Sequence, residues 1–539
     1  MSRRFAHGIT HEYLLNHTSL SENLEEHLLR VNEIYKNDPY EAQKVFKVIP
    51  DEFVWDSVHN LDAYQQVKNF LFKRSDPKTN HSARQEAISA FHAVEERNKS
   101  VKLMYNDPQI IKIREIIHRI LGEMDDRCIF EIIDRARPGG GQSIGLWNKY
   151  RTSKTHKLVA CDYTCTPKAA MYGKMYLKHH VWGDYLREDR PLVPVVGTKL
   201  AFVPKNISTF RTIAVEPSIN MALQLGVHEY IVPRLLRHGI DLRDQSINQA
   251  WAKHGSIFGD LATVDFSSAS DTISDTLAFH ILPRSWYNFL NKIRCDRYEL
   301  DGTVEQQSKF STMGNGFTFA LESVMFYAIA RSVSDGAITV FGDDVILETR
   351  DYSRFIELSE KLGLIPNRDK SFSTGPFRES CGTDWWRGVC ITPLRLQDER
   401  VTRNTLHRLY NNWGKRPSAS AVKKYLIRYS KEHFNHVLYG LENELDDSCF
   451  FTTFAYAKGS GLLSYHKGYQ TYTFKGLVLK GIRDDAYPDD WRYTHALLYG
   501  AVEAEVRNTL KDCVKAVIKN LTAGVHLRTH TYRAHKLCL

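Results

Sequence analysis

The feature that most constrains this chain is a Gly-Asp-Asp tripeptide set between two short apolar runs. Ile338 to Phe341 precede Gly342, Asp343 and Asp344, and residues 345–347 follow them. Gly and Asp are tolerated best in the turn of a hairpin, and short apolar runs are typical of buried strands. The sequence therefore predicts a β-hairpin with carboxylates at its tip.

A second apolar run, residues 261–266, carries Asp265 near its end. If the two acidic strands are neighbours, Asp265 and Asp343 converge. Converging carboxylates repel each other and need a hard cation, and Mg²⁺ uses only one or two protein carboxylates beside water and phosphate. Two such ions about 4 Å apart would activate an attacking hydroxyl and stabilise a leaving pyrophosphate oxygen. The pattern indicates nucleotidyl transfer.

A glycine-flanked asparagine lies between the two acidic strands, in Gly314-Asn315-Gly316, and an apolar helical pattern follows it. Such a turn can bring the backbone close to a nucleotide and offer an amide to a ribose hydroxyl. Gly314 and Asn315 are therefore candidate nucleotide-binding residues. The alternative is a glycine-rich turn that only caps a core helix.

Three cations outside these motifs are candidates for phosphate contacts. Lys205 and Arg211 are six residues apart on a segment predicted to be extended, where they could hold a triphosphate. Lys370 follows the second acidic motif closely enough to reach a pyrophosphate leaving group. A lysine can act as a general acid if its setting lowers its pKa. The alternative for Lys370 is an ordinary surface lysine.

Basic and aromatic residues interleave over residues 149–180, where the only acid is Asp162. Cations that follow a phosphate backbone, with flat rings for stacking, are typical of a groove for single-stranded nucleic acid. A solvated basic face over core aromatics is the alternative. The candidate RNA-binding cations are Lys149, Arg151, Lys154 and Lys157.

Composition places the chain among multi-domain globular proteins. Its 539 residues suggest three or four compact units, and the net charge of +9 favours a polyanionic partner. Nine cysteines without a Cys-x-x-Cys pair suit a reducing compartment. We expect neither secretion nor membrane insertion, because no apolar leader and no stretch of about 18 apolar residues is present.

Periodicity predicts mainly helix at both ends of the chain and an α/β-like pattern between them. Ser19 and Glu22 have the spacing of a capping box, and Asp107, Pro108 and Gly122 have the types expected at the ends of a second helix. Residues 489–521 are predicted to be helical.

Several motifs in the block from about residue 203 to 392 occur in a characteristic order. They are Val-Pro-Lys-Asn (203–206), Leu-Ala-Thr-Val-Asp (261–265), Ser-Thr-Met-Gly-Asn-Gly-Phe-Thr-Phe (311–319), Phe-Gly-Asp-Asp (341–344) and Gly-Pro-Phe-Arg-Glu-Ser-Cys-Gly (375–382). In this order they resemble the replicase subunit of the single-stranded RNA bacteriophages, the levivirus RNA-directed RNA polymerase.

The resemblance implies an α+β right-hand fold with fingers, a palm of antiparallel sheet plus helices, and a thumb. The corresponding division is a helical N-terminal region and fingers extension (1–190), a fingers segment with the triphosphate motif (191–250), the catalytic palm (251–400), and a helical thumb with a basic tail (401–539).

The same resemblance implies roles and partners. Asp265, Asp343 and Asp344 would bind two Mg²⁺ ions, with NTPs as substrates, and Lys205 and Arg211 match the motif that contacts the incoming triphosphate. The family copies a viral RNA genome in the host bacterial cytoplasm. It works with host elongation factors Tu and Ts and often an RNA-binding ribosomal protein.

The contact to the ribose is left open among three residues. Asn315 matches the family position that senses the sugar. Many other RNA polymerases have a second acid five residues after the first strand aspartate, but here Ser270 occupies that place and Asp271 follows it.

Two alternatives remain at this point. A reverse transcriptase shares the two-aspartate hairpin, although Gly342 and the polar Asn315 favour ribonucleotides. A non-catalytic RNA-binding or packaging protein would explain the positive charge, but it would not need acids where a polyanion must bind.

Overall fold

The computed structural model describes residues 2–48, 57–73, 80–146, 157, 161–179, 191–396, 401–414, 419–435, 437–443, 447–467, 471–480 and 515–522. Its α-helices are α1 Ser2–Leu15, α2 Glu22–Asn37, α3 Pro39–Phe46, α4 Val58–Leu71, α5 Asn80–Ser100, α6 Pro108–Leu121, α7 Asp126–Asp134, α8 Ala170–His179, α9 Ser218–Leu236, α10 Ser246–Phe258, α11 Ala269–Thr272, α12 Asp275–Ile281, α13 Arg284–Ile293, α14 Thr318–Val333, α15 Tyr352–Lys361, α16 Arg403–Asn412, α17 Ala419–Phe434 and α18 Phe454–Gly459. Short 3-10 turns cover Pro167–Ala169 and Thr349–Asp351.

The strands lie mostly in small antiparallel sheets, which together with the helices confirms the predicted α+β class. They are β1 Thr164–Cys165, β2 Val193–Pro194, β3 Thr198–Pro204, β4 Phe210–Val215, β5 Leu261–Val264, β6 Arg297–Leu300, β7 Thr303–Gln306, β8 Ile338–Phe341, β9 Asp344–Glu348, β10 Phe377–Ser380, β11 Thr383–Trp386, β12 Val389–Cys390, β13 Tyr439–Gly440, β14 Phe450–Phe451, β15 Ser464–His466, β16 Thr471–Lys480 and β17 Lys515–Thr522.

The predicted acidic hairpin is present, and its strands belong to a three-stranded antiparallel sheet of order β5-β9-β8. Phe341 pairs with Asp344 across the turn, and Val264 pairs with Val345. Gly342 has φ +66°, a left-handed conformation that glycine adopts without a steric penalty. The neighbouring strands that the sequence argument required are therefore confirmed.

Side chains alternate between the two faces of this sheet, and a helix packs against each face. Val340 and Val345 join the largest hydrophobic core, to which α14 contributes Leu321 and Val324. On the other face, Ile346 packs with Ala252 of α10. The sheet therefore packs between α10 and α14, and its acidic end lies at the edge of this packing.

A second sheet, of order β4-β3-β6-β7, carries the predicted extended segment as a hairpin of β3 and β4. Its turn is closed by the Asn206 side chain, whose Oδ1 accepts hydrogen bonds from the backbone N–H groups of Ser208 and Thr209 at 2.9 and 2.8 Å. Ile207, at the tip, is 3% exposed and packs into the core of the N-terminal helices.

The predicted helix ends are partly right. Asp107 caps α6, with its carboxylate accepting from the Gln109 N–H, and Gly122 ends the helix at φ +71°. The Ser19 and Glu22 capping box is wrong, because Ser21 is the N-cap and its side chain makes no cap hydrogen bond. The Ser21 Oγ instead accepts from the Asn60 amide at 3.0 Å.

The chain beyond residue 400 combines helices with a sheet. Strand β17 pairs antiparallel with β16 from Thr473–Thr522 to Lys480–Lys515. The helix predicted over 489–521 is therefore wrong for 515–521, and residues 489–514 lie outside the described residues. Across the described ranges, we find no helix with both the length and the apolar character needed to cross a membrane.

Candidate active site

The three predicted acids lie at one end of the β5-β9-β8 sheet. Asp265 directly follows β5, Asp343 is in the turn after β8, and Asp344 is the first residue of β9. The pairing of Val264 with Val345 brings the ends of β5 and β9 together. Each carboxylate is therefore positioned by the register of a buried strand.

Burial and mutual repulsion raise the pKa values of two of these acids. Burial raises the pKa of Asp343, and the charge of Asp265 adds to this effect. Burial, followed by the charges of Asp343 and Asp265, raises the pKa of Asp344 to about 7. Like-charge repulsion of this kind means that a cation would be bound favourably at this end of the sheet.

The donor set fits Mg²⁺ better than a metal that needs a complete protein cage. Within the described ranges, no group of three His, Cys, Asp or Glu side chains is close enough to hold an ion by itself. Mg²⁺ is bound through one or two carboxylates, with its other positions left to water and substrate phosphate. Asp265 and Asp343 can supply those two carboxylates, with Asp344 beside them.

The segment 366–371 wraps around Asp265 and fixes its orientation. The carboxylate Oδ2 of Asp265 accepts from the Lys370 Nζ at 3.3 Å and from the Asn367 Nδ2 at 3.2 Å. The Asp265 carbonyl oxygen accepts from the Asn367 N–H at 2.8 Å, and the Asp265 N–H donates to the Ser371 Oγ at 3.2 Å. Sequence reasoning missed Asn367, although it is three residues before Lys370.

The setting of Lys370 is the opposite of the one expected for a general acid with a lowered pKa. Burial alone would lower the pKa of Lys370, but the charges of Asp265, Glu379 and Asp343 outweigh burial and raise it. The ammonium therefore stays protonated beside Asp265. Lys370 thus lies beside Asp265, as its predicted role requires, but the condition for a general acid, a lowered pKa, is not met.

The Gly-Asn-Gly turn packs against β4. Gly314 has φ +122°, and a Cβ there would be 2.1 Å from the Ala214 carbonyl oxygen. The Ala214 N–H donates to the Met313 carbonyl at 2.8 Å. Asn315 is 8% exposed, and its Oδ1 accepts from the Phe317 N–H at 3.2 Å at the start of α14. Gly314 is thus explained by packing, and its nucleotide contact stays a prediction.

The two other candidates for the ribose contact are held by different partners. Ser270 is buried, and its carbonyl oxygen accepts from the Ser311 Oγ at 3.3 Å. The Asp271 carboxylate lies 3.7 Å from the Nζ of Lys309, and Lys309 lies 3.8 Å from Glu95. Sequence reasoning missed this buried ion triad. The choice among Ser270, Asp271 and Asn315 stays open.

The β3-β4 hairpin presents both predicted triphosphate cations on its exposed side. Lys205 follows β3, and Arg211 pairs with Val203. Burial lowers the pKa of Lys205, and the charges of Arg211, Lys370 and Lys73 lower it further. Arg211 in turn opposes the rise in the pKa of Asp343. The charges of these cations therefore act on the acidic end of the sheet, Lys205 with Asp265 and Arg211 with Asp343.

Most of the predicted RNA-binding cations lie outside the described residues. Lys149, Arg151 and Lys154 lie outside the described residues. Lys157 is 5% exposed, and its Nζ donates to the Gly140 carbonyl at 3.4 Å. Lys157 is thus largely buried, and its contact with RNA stays a prediction.

A buried glutamate on α14 also lies beside the acidic turn. Glu322 is 7% exposed, and burial together with the charge of Asp343 raises the pKa of Glu322 well above its usual range. Next to it, the Ser323 Oγ accepts from the Gly342 N–H at 3.0 Å and so fixes the turn. The sequence signal was a single acid in a largely apolar helix.

Comparison with known proteins gives a consistent set of relatives. A family model described as RNA replicase, beta-chain, matches residues 78–461. The chain is 37% identical over 333 residues to the RNA-directed RNA polymerase subunit beta of Enterobacteria phage SP, covering 59% of this chain and 57% of that one. It is 41% identical over 260 residues to the corresponding subunit of Escherichia virus Qbeta, covering 47% and 43%.

The matched segments span about half the length of these curated relatives. Among solved structures, the in situ structure of the BmCPV RNA-dependent RNA polymerase at elongation state matches with a TM-score of 0.37 and 11% identity. That match covers 62% of this chain and 32% of the other, and its TM-score is too low to add to the assignment.

Proposed function

Because this chain belongs to the RNA replicase beta-chain family, we propose that it is an RNA-directed RNA polymerase that copies a single-stranded RNA phage genome. The reaction is Mg²⁺-dependent transfer of nucleotides from NTPs to the RNA 3′ end, with release of pyrophosphate. The observation that carries the proposal is the convergence of Asp265 and Asp343 at one sheet end.

Each group at the site has a task in this reaction. Bound Mg²⁺ supplies activation of the attacking hydroxyl and neutralisation of charge at the leaving oxygen. Asp265 and Asp343 hold the two ions, and Asp344 supports them. Lys370 keeps Asp265 oriented through its 3.3 Å contact and, because it stays protonated, can stabilise the negative charge of the leaving pyrophosphate.

The proposed architecture is a right hand. The β5-β9-β8 sheet with α10 and α14 is the palm, and the β3-β4 hairpin belongs to the fingers. Residues 401–539 form the thumb and tail. Lys205 and Arg211 on the hairpin bind the triphosphate, because Arg recognises phosphate as a fork and Lys as a point charge.

A choice between NTPs and dNTPs separates this proposal from a reverse transcriptase. The buried, polar Asn315 in the Gly-Asn-Gly turn favours ribonucleotides. With Mg²⁺ and one primed RNA template, we expect the chain to incorporate NTPs in preference to dNTPs. A preference for dNTPs would overturn the proposal, and the absence of any incorporation would favour a pure RNA-binding protein.

The partners and the location are also proposed from the family. They are host elongation factors Tu and Ts, an RNA-binding ribosomal protein, and the host bacterial cytoplasm. Purification of the expressed chain from host lysate tests the partners. We expect both elongation factors to co-purify, and an active chain without them would refute their requirement.

A further inference from the structure

The N-terminal helices reach the β3-β4 hairpin at its tip. The Ile207 N–H donates to the Phe72 carbonyl at 3.2 Å, and the Tyr40 hydroxyl donates to the Ile207 carbonyl at 2.8 Å. Phe72, which is 3% exposed, belongs to the same hydrophobic core as Ile207. The turn after Lys205 is therefore fixed to the end of the N-terminal region by hydrogen bonds on both sides of Ile207.

Lys73 follows Phe72 directly, so this contact fixes the backbone of Lys73 near the turn that carries Lys205. The residue is exposed, and it precedes the block 78–461 that matches the replicase family. Its charge acts on Lys205, and it is in turn affected by Lys370 and by Glu379. Lys73 is thus a fourth cation in the group formed by Lys205, Arg211 and Lys370.

Three of these four cations form no direct ion pair in the part of the chain that the structure describes. Lys370 is paired with Asp265, whereas Lys73, Lys205 and Arg211 form no direct ion pair with a described residue; Glu379 and Asp384 act on Lys73, and Asp265 on Lys205, only from a greater distance. Although both side chains reach solvent, partial burial lowers the pKa values of Lys73 and Lys205. Neighbouring cations lower these pKa values further, while Glu379 and Asp384 near Lys73 and Asp265 near Lys205 oppose the shift. Unpaired cations held together in this way favour binding of a polyanion.

We propose that Lys73 is a further triphosphate-binding residue, supplied by the N-terminal helices and acting beside Lys205 and Arg211 on the incoming nucleotide. This inference rests on the proposed polymerase function. A triphosphate concentrates several negative charges over a few ångströms, which suits a compact group of cations better than a single phosphate of an RNA backbone does. Three members of the group act on the acids where the triphosphate would react, because Lys370 lies 3.3 Å from Asp265, Lys205 is influenced by Asp265 and Arg211 acts on Asp343.

The test compares Lys73→Met and Lys73→Arg with the unchanged chain, in the full-length protein together with any subunits that co-purify. Lys36→Met is the matched control, since Lys36 is an exposed lysine at the end of α2. Single-nucleotide incorporation on a primed RNA template gives KM and kcat. Binding of inorganic tripolyphosphate and of the primed RNA gives two separate dissociation constants.

For Lys73→Met we expect KM for the NTP and the Kd of tripolyphosphate each to rise about tenfold, the loss typical of one charge-assisted hydrogen bond. We expect kcat and the Kd of RNA to change little, Lys73→Arg to restore most of the loss, and Lys36→Met to match the unchanged chain. Equal thermal midpoints for the variants exclude misfolding as the cause.

Unchanged KM and tripolyphosphate binding in Lys73→Met would overturn the inference. A weaker affinity for RNA with unchanged tripolyphosphate binding would overturn it too, and would make Lys73 an RNA contact. If the unchanged chain incorporates no nucleotide, the proposed function fails, whereas the comparison of tripolyphosphate binding still decides the role of Lys73.

Discussion

At the scale of single residues, Lys309 shows how a buried charge can tie distant segments together. It is 0% exposed, and its Nζ lies between the carboxylates of Glu95 and Asp271 and 3.3 Å from the centre of the Phe91 ring. Glu95 also accepts from the Ser308 N–H at 2.6 Å. The triad therefore joins α5 to α11, next to the Ser270 and Asp271 candidates.

Replacing Lys309 by Met should destabilise the fold strongly. Glu95 and Asp271 would be left without their cation, and breaking a buried ion pair costs about 3 to 5 kcal/mol of the free energy of unfolding. Urea unfolding measures this loss. Lys44→Met is the control, because its pair with Glu41 is exposed and should cost at most about 1 kcal/mol. Equal losses in both variants would contradict the structural role of the triad.

Sequence reasoning identified residues whose position follows from a local pattern. Asp265 and Asp343 end apolar strands, so their convergence needed only the pairing of β5 with β9. Asn367 and Lys309 were missed, because their contacts join segments 102 and 38 or more residues apart. No local periodicity encodes such contacts, which depend on how whole elements pack.

At the scale of elements, the junction between β4 and α9 contains a buried acid. Glu216 is 1% exposed, and its Oε2 accepts from the Gln224 amide at 3.0 Å and from the Cys295 thiol at 3.2 Å. Burial raises the pKa of Glu216 to about 7 despite these two donors. The folded state therefore holds this proton more tightly than the unfolded chain does.

This shift predicts a pH-dependent stability that Glu216→Gln should remove. The unfolded carboxyl titrates near 4.5, so the contribution of Glu216 to stability falls as pH rises from about 4.5 to about 7 and then levels off. As pH rises from 4 to 8, the free energy of unfolding of the variant should increase by roughly 3 kcal/mol relative to that of the unchanged chain. Urea unfolding at both pH values measures the gain, and a difference independent of pH would contradict the predicted shift.

Elements with complete local signals were predicted well. Helix α6 has Asp107, Pro108 and Gly122 at its ends, and the Gly342 turn has apolar strands on both sides. The capping box at Ser19 failed because a distant side chain, Asn60, binds the true N-cap Ser21. Residues of strand β17 were predicted as helix from their local pattern. They form a strand because the long-range pairing with β16 outweighs local propensity.

At the scale of the whole molecule, the N-terminal helices share one hydrophobic core with residues between 394 and 450. Trp413 is fully buried between the N-terminal helices and α17, with its ring 5.6 Å from that of Tyr13 and 5.8 Å from that of Phe70. The division at residues 190 and 400 suggested by the sequence did not include this contact. Composition and periodicity do not predict which core residues far apart in the chain contact each other.

Trp413→Ala should therefore destabilise the N-terminal helices and α17 together. Removing a buried tryptophan costs about 3 to 5 kcal/mol, and we expect faster hydrogen exchange in α1, α4 and α17 but not in α14. Met104→Ala is the control, because Met104 is 80% exposed. Faster exchange confined to the C-terminal helices would contradict a shared core.

The central claim is that acids at the end of the β5-β9-β8 sheet carry Mg²⁺-dependent RNA synthesis. The most direct measurement is single-turnover NTP incorporation on a primed RNA template by Asp343→Asn, with RNA affinity determined on the same preparation. The account predicts that incorporation is abolished at every Mg²⁺ concentration while the Kd for RNA is nearly unchanged. Incorporation retained at the rate of the unchanged chain would contradict it.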